Sequence, residues 1–471
     1  MAARLAGPGR LAALAMALMA TAGAAAGGGQ AQRDSESLAQ GMAPGAWQGA
    51  PLAETDASRS WTAVQGILEA YFPLPDLAFS AGDAAGRKFT LEKGNMTMSA
   101  PLVMASSSKF PAASAIVGVV ADGHMSLDTR SHELFPWWTS DPEDRRSRVT
   151  LRHLLSFTSG FFSPDAGGSL PCLAQGGEEY SSEACAREIY ERAPHEFEPG
   201  STWAYNSFHL QVAGAMAAKA SNLTVQEVLR RYLIDKLDLR GTFWMGGENP
   251  ALAGNMITTG DDYDEILRAY LGYRLVPKRL ADEMEQDYVT GGVRVANSST
   301  FLARLLGHYS LGTYFECLPP KPADFTARCL RANVHMDAGL FGYYPLVDRN
   351  HGTYMQVVAM KLAPSFAPTI ASLSLRLLIK HSVDRALRRG GANGLPGVAA
   401  AEGPWTANLT AREAARAATA MVLEQAGLDE AYGGPEGVWA LLGRAAGPGE
   451  LQALLRSAGA HVGGGHFEVD A

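Results

Sequence analysis

Cysteine is scarce in this chain, with four in 471 residues. No two form a Cys-x-x-Cys pair, and none sits beside paired histidines. Nothing therefore suggests a zinc site, and no metal or cofactor is expected. Excess positive charge is also missing. The net charge of −8, the pI near 5.8 and the lack of any basic run or interleaved aromatic–arginine patch argue against nucleic acid as a partner. Long apolar runs are missing too. Leu11 to Ala20 is too short for a membrane span, and nothing beyond residue 388 is long or apolar enough. Lysine is rare, nine in all, and only Lys109 stands three residues after a serine.

The length corresponds to about three domain-sized units, and a composition that is 47% hydrophobic buries a core easily. Arg4 and Arg10, the apolar Leu11–Ala20 run and the small residues of Thr21–Ala26 have the order of a secretory signal. Residues 1–26 are therefore read as a cleaved leader. The mature protein is expected to be secreted or in an extracytoplasmic compartment, with no membrane span after the leader is removed. An uncleaved anchor or an alanine tract is the competing reading. Residues 27–55, rich in Gly, Gln, Ser and Ala, are expected to be a disordered lead-in. Cys172 and Cys185 are 13 residues apart, and Cys317 and Cys329 are 12 apart. Two local disulfides are the simplest reading in an exported chain; four buried thiols are the reading otherwise. Sequons at Asn95, Asn222, Asn297 and Asn408 mark candidate glycosylation positions.

The most informative stretch is Met104-Ala-Ser-Ser-Ser-Lys-Phe110, followed by an apolar run to Ala121 and an Asp122-Gly123 stop. This predicts a helix that starts near Ser106, with Pro111 in its first turn, where a missing N–H costs nothing. Residues three apart share a helix face, so Lys109 stands beside Ser106. A serine hydroxyl is a weak nucleophile until a neighbour takes its proton. A lysine desolvated in a pocket has a lowered pKa and can take it. Standing alone, the pair would be read as a capped helix start with a solvated lysine.

It does not stand alone. Val120-Ala-Asp-Gly-His-Met-Ser-Leu-Asp128 and Val149-Thr-Leu-Arg-His-Leu-Leu-Ser-Phe-Thr-Ser-Gly-Phe161 follow in order. This succession resembles the serine β-lactamase-related hydrolases, which include class C β-lactamases, penicillin-binding-protein-like D-amino-acid peptidases and esterases. The resemblance runs from about Trp61 to Pro364. It implies an α/β (α+β) fold of the β-lactamase/transpeptidase type. An antiparallel sheet flanked by helices would carry an inserted, mainly helical lobe, with the active site between them.

The resemblance extends to two further motifs. Glu198-Pro-Gly-Ser-Thr-Trp-Ala-Tyr-Asn-Ser207 is similar to the "Pro-Gly-x-x-Phe-x-Tyr-Ser-Asn" segment of that family. It implies Tyr205 as the partner of Ser106, a tyrosinate near Lys109 that takes the serine proton and returns it to the leaving group. Asn206 and Ser207 share the family asparagine's place as candidate substrate-binding residues. No Lys-Thr-Gly occurs. Asn333-Val-His-Met-Asp-Ala-Gly339 stands in its place, making His335 a fourth catalytic candidate and Gly339 a substrate-binding one. Asp337, where glycine is usual, is expected to oppose anionic substrates.

Short alternating segments at Leu77–Ser80, Lys88–Leu91 and Asn95–Met98 read as strands, as does a hairpin over Gly339–Lys361. Amphipathic helices are expected over Thr62–Tyr71, Gln211–Ser221, Val225–Leu237 and Ile370–Leu387. The resulting map places the hydrolase domain at 56–387 with a helical lobe at about 141–295. A linker and helical extension occupy 388–471, either packed or loose. The function implied is a secreted serine hydrolase that forms an acyl-enzyme on an ester, amide or β-lactam-like bond of a small-molecule or peptide-like substrate. The alternative is a non-catalytic binding protein on the same scaffold.

Overall fold

The computed structural model describes residues 56–164, 170–175, 180–296, 308–316, 331–363, 365–388, 410–426, 428–444, 460–463 and 466–469. The leader and lead-in assigned to residues 1–55 lie outside them, as do Cys317, Cys329, Asn297 and Asn408.

Helix α1 (Asp56–Ala70) precedes the hairpin β1 (Leu77–Asp83) and β2 (Gly86–Lys93). A short strand β3 (Leu102–Val103) runs into a 3₁₀ turn, Ala105–Ser108, and then α2 (Lys109–Ala121). The inserted part contains α3 (Phe208–Ser221), β4 (Phe243–Trp244), β5 (Met256–Thr258) and α4 (Gly260–Leu271). The chain returns to sheet with β6 (Tyr314–Phe315), β7 (Val334–Met336), β8 (Tyr344–Asp348) and β9 (Thr353–Val358). It then enters α5 (Ala367–Arg388).

The main sheet has the order β2-β1-β9-β8-β7-β6 and is antiparallel throughout. It is therefore made from both ends of the body, as its alternating segments suggested. β8 and β9 are buried along their whole length, and so is β1 except at Asp83, because helices cover both faces. On one face Ser80, Tyr354 and Gln356 form a buried polar network with α4. Ser80 donates to Asp264 at 2.6 Å, Tyr354 donates to Asp264 at 2.7 Å, and Gln356 donates to the Gly260 carbonyl at 2.8 Å. These bonds lock α4 to the sheet, and α4 in turn reaches the serine turn, where Tyr263 donates to the Ser107 carbonyl at 2.9 Å.

Every residue of α2 but its last is buried, which explains why the run is apolar on all sides. The expected strand at Asn95–Met98 does not form. Asp76 accepts from the Asn95 N–H at 2.9 Å and Gly94 takes a positive φ of 65°, so the chain turns instead. The helix expected over 225–237 forms, with a π segment Arg230–Ile234 between its α-helical parts Val225–Leu229 and Asp235–Leu237. The inserted part is mainly helical, but it also supplies β4 and β5, which build a small sheet with β3.

Beyond residue 409, α6 (Ala411–Ala426) and α7 (Gly434–Arg444) pack on α5 rather than hanging loose. Phe72 meets Trp439 edge-to-face at 4.6 Å, and the Arg412 guanidinium lies over both rings. Cys172 and Cys185 form a disulfide between two lobe helices, Pro171–Gln175 and Ser182–Arg192. Asn95 and Asn222 are exposed.

Candidate active site

Three consecutive serines meet different fates at the start of α2. Ala105 takes a positive φ of 47°, a conformation costly for a residue with a Cβ, and this turns the chain sharply out of β3. Ser107 donates its hydroxyl to the Asp337 carbonyl at 2.5 Å, and Ser108 donates to the Ala105 carbonyl at 2.6 Å. Both are fully buried. Ser106 alone in this turn is partly open. The turn thus presents one hydroxyl and spends the other two on its own shape.

Two polar groups converge on that hydroxyl. Lys109 Nζ donates to Ser106 Oγ at 3.0 Å and to the Ala253 carbonyl at 2.7 Å. The Tyr205 hydroxyl donates to Ser106 Oγ at 2.8 Å. Lys109 is 2% exposed, and its Nζ sits 4.8 Å from the centre of the Tyr205 ring. Burial lowers the Lys109 pKa to about 8, while the charge of Asp337 pulls it back up. Burial, and after it the Asp337 charge, push the Tyr205 phenol well above its ordinary range, against a smaller opposing pull from the Ser106 hydrogen bond. Tyr205 is therefore a neutral phenol. That corrects the expectation of a tyrosinate base and leaves Lys109 as the group whose pKa suits proton abstraction.

Tyr205 is held rigidly. The Ala204 N–H donates to the Phe157 carbonyl at 3.0 Å, and His209 Nε2 is 2.8 Å from the Ala204 carbonyl. The ring packs against Phe157, Trp203 and Tyr314.

The remaining candidates lie otherwise. His335 is on β7, and the hydrogen bonds of its ring go to residues other than Ser106. Its Nε2 is 2.7 Å from Asn333 Oδ1, its Nδ1 is 3.3 Å from Ser310 Oγ, and the ring rests on Phe315. Burial pulls its pKa down to about 4, so it is neutral. Asn206 is buried and its amide is spent. It donates to the Phe161 carbonyl at 3.1 Å and accepts from the Phe208 N–H at 3.1 Å, which ties down the start of α3. Ser207 is the half-exposed N-cap of α3. Gly339 donates its N–H to the Tyr343 carbonyl at 2.8 Å, so that N–H is not available to an oxyanion. A Cβ on Gly339 would collide with the Met104 carbonyl, and glycine is what lets this strand close against the serine turn.

Asp337 was misjudged from sequence. It is 1% exposed, and Oδ2 accepts from the Phe110 N–H at 2.9 Å at the start of α2. It faces the helix rather than the cleft, so the expected repulsion of anionic substrates loses its basis. Burial raises its pKa, and the Lys109 charge and the helix-start N–H groups oppose that rise. The Ala253 carbonyl that holds Lys109 was missed altogether, because a main-chain acceptor leaves no trace in residue identity.

Among the described residues, one carboxylate–histidine cluster has metal-ligand spacing, Asp348, His351 and Asp384. Lys380 already supplies its cation, at 2.6 Å from Asp348 and from Asp384.

The comparisons with known proteins agree with this geometry. Residues 76–299 match the family model described as Beta-lactamase. No curated protein is significantly similar to the chain. A putative β-lactamase from Bacteroides dorei is 23% identical with a TM-score of 0.52, over 64% of this chain and 90% of that one. The hydrolase EstCE1, described as having promiscuous acyltransferase activity, is 14% identical with a TM-score of 0.54, over 70% and 99%. The unliganded simvastatin synthase of Aspergillus terreus is 16% identical with a TM-score of 0.51, over 71% and 98%. Ser-x-x-Lys at the start of a buried helix and the tyrosine bonded to that serine thus both lie in the part of the chain, residues 76–299, that matches the Beta-lactamase family model, and the fold is the one these solved structures share.

Proposed function

We propose that the protein is a serine hydrolase that works through an acyl-enzyme, with Ser106 as nucleophile. One observation carries the reading: Lys109 Nζ and the Tyr205 hydroxyl both lie within hydrogen-bond distance of the single open hydroxyl of the turn. Neutral Lys109 accepts the Ser106 proton as Oγ attacks a carbonyl carbon. Tyr205, a neutral phenol, donates a proton to the leaving group and is reprotonated by the Lys109 ammonium, which carries the proton taken from Ser106. Water then attacks the acyl-enzyme by the reverse route. An alcohol acceptor in place of water turns the same intermediate to acyl transfer, the activity described for EstCE1.

The bond cut is an ester, an amide or a β-lactam in a small-molecule or peptide-like substrate. The Cys172–Cys185 disulfide supports an oxidising, extracytoplasmic setting, and among the described residues no helix is long and apolar enough to cross a membrane. The test is incubation with a fluorescent phosphonate, then with p-nitrophenyl esters, nitrocefin and D-alanyl peptides. A Ser106-dependent adduct with turnover of at least one substrate is expected. Folded protein that forms no adduct would instead support the binding-protein reading, in which the buried Asp337 beside Lys109 has replaced catalysis.

A further inference from the structure

Asp337, just after β7, is a point at which the sheet side of the molecule touches the serine turn. Its main-chain carbonyl accepts from the Ser107 hydroxyl at 2.5 Å, and Oδ2 accepts from the Phe110 N–H at 2.9 Å. Oδ1 is sealed from solvent and has no hydrogen-bond partner. A carboxylate this buried is costly unless an opposite charge compensates it. The titratable side chains that sense it are Lys109 from α2, Tyr205 ahead of α3, Tyr263 of α4 and Tyr309 ahead of β6. His335, two residues earlier and on the same side of β7, is neutral. The three phenols are neutral as well, because burial raises each of them. Lys109 is thus the only cation among these groups.

We propose that Asp337 is a positioning residue for proton transfer at Ser106: its sealed carboxyl group, held at the start of α2 by the Phe110 N–H, tunes the basicity of Lys109, and its main chain ties the serine turn to β7. The inference rests on the hydrolase reading, in which Lys109 is the base. A lysine desolvated with no partner gives up its proton too readily and makes a weak base. The carboxylate restores part of that basicity without touching substrate. Lys109 stays close to the protonation balance a base needs near neutral pH. The step balances within the site. The Ser106 proton moves to the Lys109 amine as the new Oγ bond forms, and the resulting ammonium is favoured by the Asp337 carboxyl in its ionised form, whose charge develops over the same pH range because burial raises its pKa to about 8.

The test is the pH dependence of Ser106 phosphonylation by a fluorophosphonate, in which fluoride leaves as the Oγ–phosphorus bond forms. This stoichiometric readout needs no knowledge of the natural substrate. In the parent protein the acid limb is expected near the Lys109 value of about 8. Asp337→Asn keeps an oxygen for the Phe110 N–H but removes the charge. The ammonium is then less favoured, so the limb moves to lower pH by about one unit or more, and the high-pH rate falls with the weaker base. A purely structural role would change melting temperature and leave the limb in place, which overturns the proposal. Asp337→Ser is the second variant if the amide does not fold. If neither folds, a parent limb below about pH 6, where an uncompensated buried lysine would titrate, overturns it. Absence of any Ser106 adduct in folded parent protein would instead sink the hydrolase reading.

Discussion

Tyr205 donates its hydroxyl proton to Ser106 Oγ across 2.8 Å, joining positions 99 residues apart in the chain. Burial keeps the phenol neutral, so it holds its proton until a leaving group needs it. Tyr205→Phe removes that proton and little packing, since the ring contacts with Phe157, Trp203 and Tyr314 persist. Turnover should fall on the order of 10²-fold with a melting temperature close to the parent's. Steady-state rates on the best ester found will decide; an unchanged rate would reduce Tyr205 to packing.

The three serines make an internal control. Ser106→Ala should abolish turnover and phosphonate labelling while the fold persists. Ser107→Ala should cost stability of about 1 kcal/mol through a lost buried hydrogen bond and Ser108→Ala more, because its hydroxyl also accepts from the Met256 N–H at 3.2 Å, and both should keep labelling at Ser106. Denaturant melts and adduct mass spectrometry on all three would expose a misplaced nucleophile if labelling followed Ser107 or Ser108.

Lys109→Arg should be nearly as damaging as removal of the serine. A guanidinium stays charged at any accessible pH and cannot take a proton. It is also too large for a pocket that leaves Lys109 2% exposed and bonded to the Ala253 carbonyl. Single-turnover phosphonylation should lose its acid limb along with most of its rate. Retention of a lysine-like limb would assign the base elsewhere.

What the sequence made legible was local. Ser106 and Lys109 share one helical turn, and Tyr205 follows a Pro-Gly turn in a continuous motif, so local spacing together with the family resemblance pointed to them. The sheet was legible in the same way, since β1, β8 and β9 alternate or run apolar between turn residues. What failed depended on pairing across the fold. Asp337 looked like a residue facing the cleft because strand position says nothing of what packs above it. The helix start that captures it lies 227 residues away in the chain. Asn206 looked free because its carbonyl partner, Phe161, is 45 residues distant. The tyrosinate expectation failed for an energetic reason: sequence gives the residue but not its burial.

The Cys172–Cys185 link closes a loop of 13 residues between two lobe helices. A loop of that length contributes roughly 3 kcal/mol by restricting the unfolded chain. Thermal melts with and without reductant should show the difference. Non-reducing peptide mapping should recover this pair and, by the same reading of spacing, Cys317 with Cys329. Recovery of crossed pairs in secreted protein would refute local pairing.

His335 gives the last prediction, because structure and motif disagree about it. By its place ahead of the final hairpin it would be a catalytic base. In the fold it is a buried neutral ring bonded to Asn333 and Ser310. Its pKa is lowered to about 4 and that of His209 to about 3, in both cases chiefly by burial. Between about 4 and the ordinary histidine value of roughly 6.5, the unfolded chain binds more protons than the folded one. Stability therefore falls as pH drops through that window, and is independent of these two rings above it. His335→Gln can keep one hydrogen bond and cannot titrate. It should flatten the acid-side loss of melting temperature by the share due to one ring, and lower the stability near pH 7 where the native ring is best bonded. Turnover on a good substrate should change less than threefold or so, far from the roughly 10²-fold loss a proton-transfer role would give. A rate loss of that larger size at unchanged stability would return His335 to the chemistry.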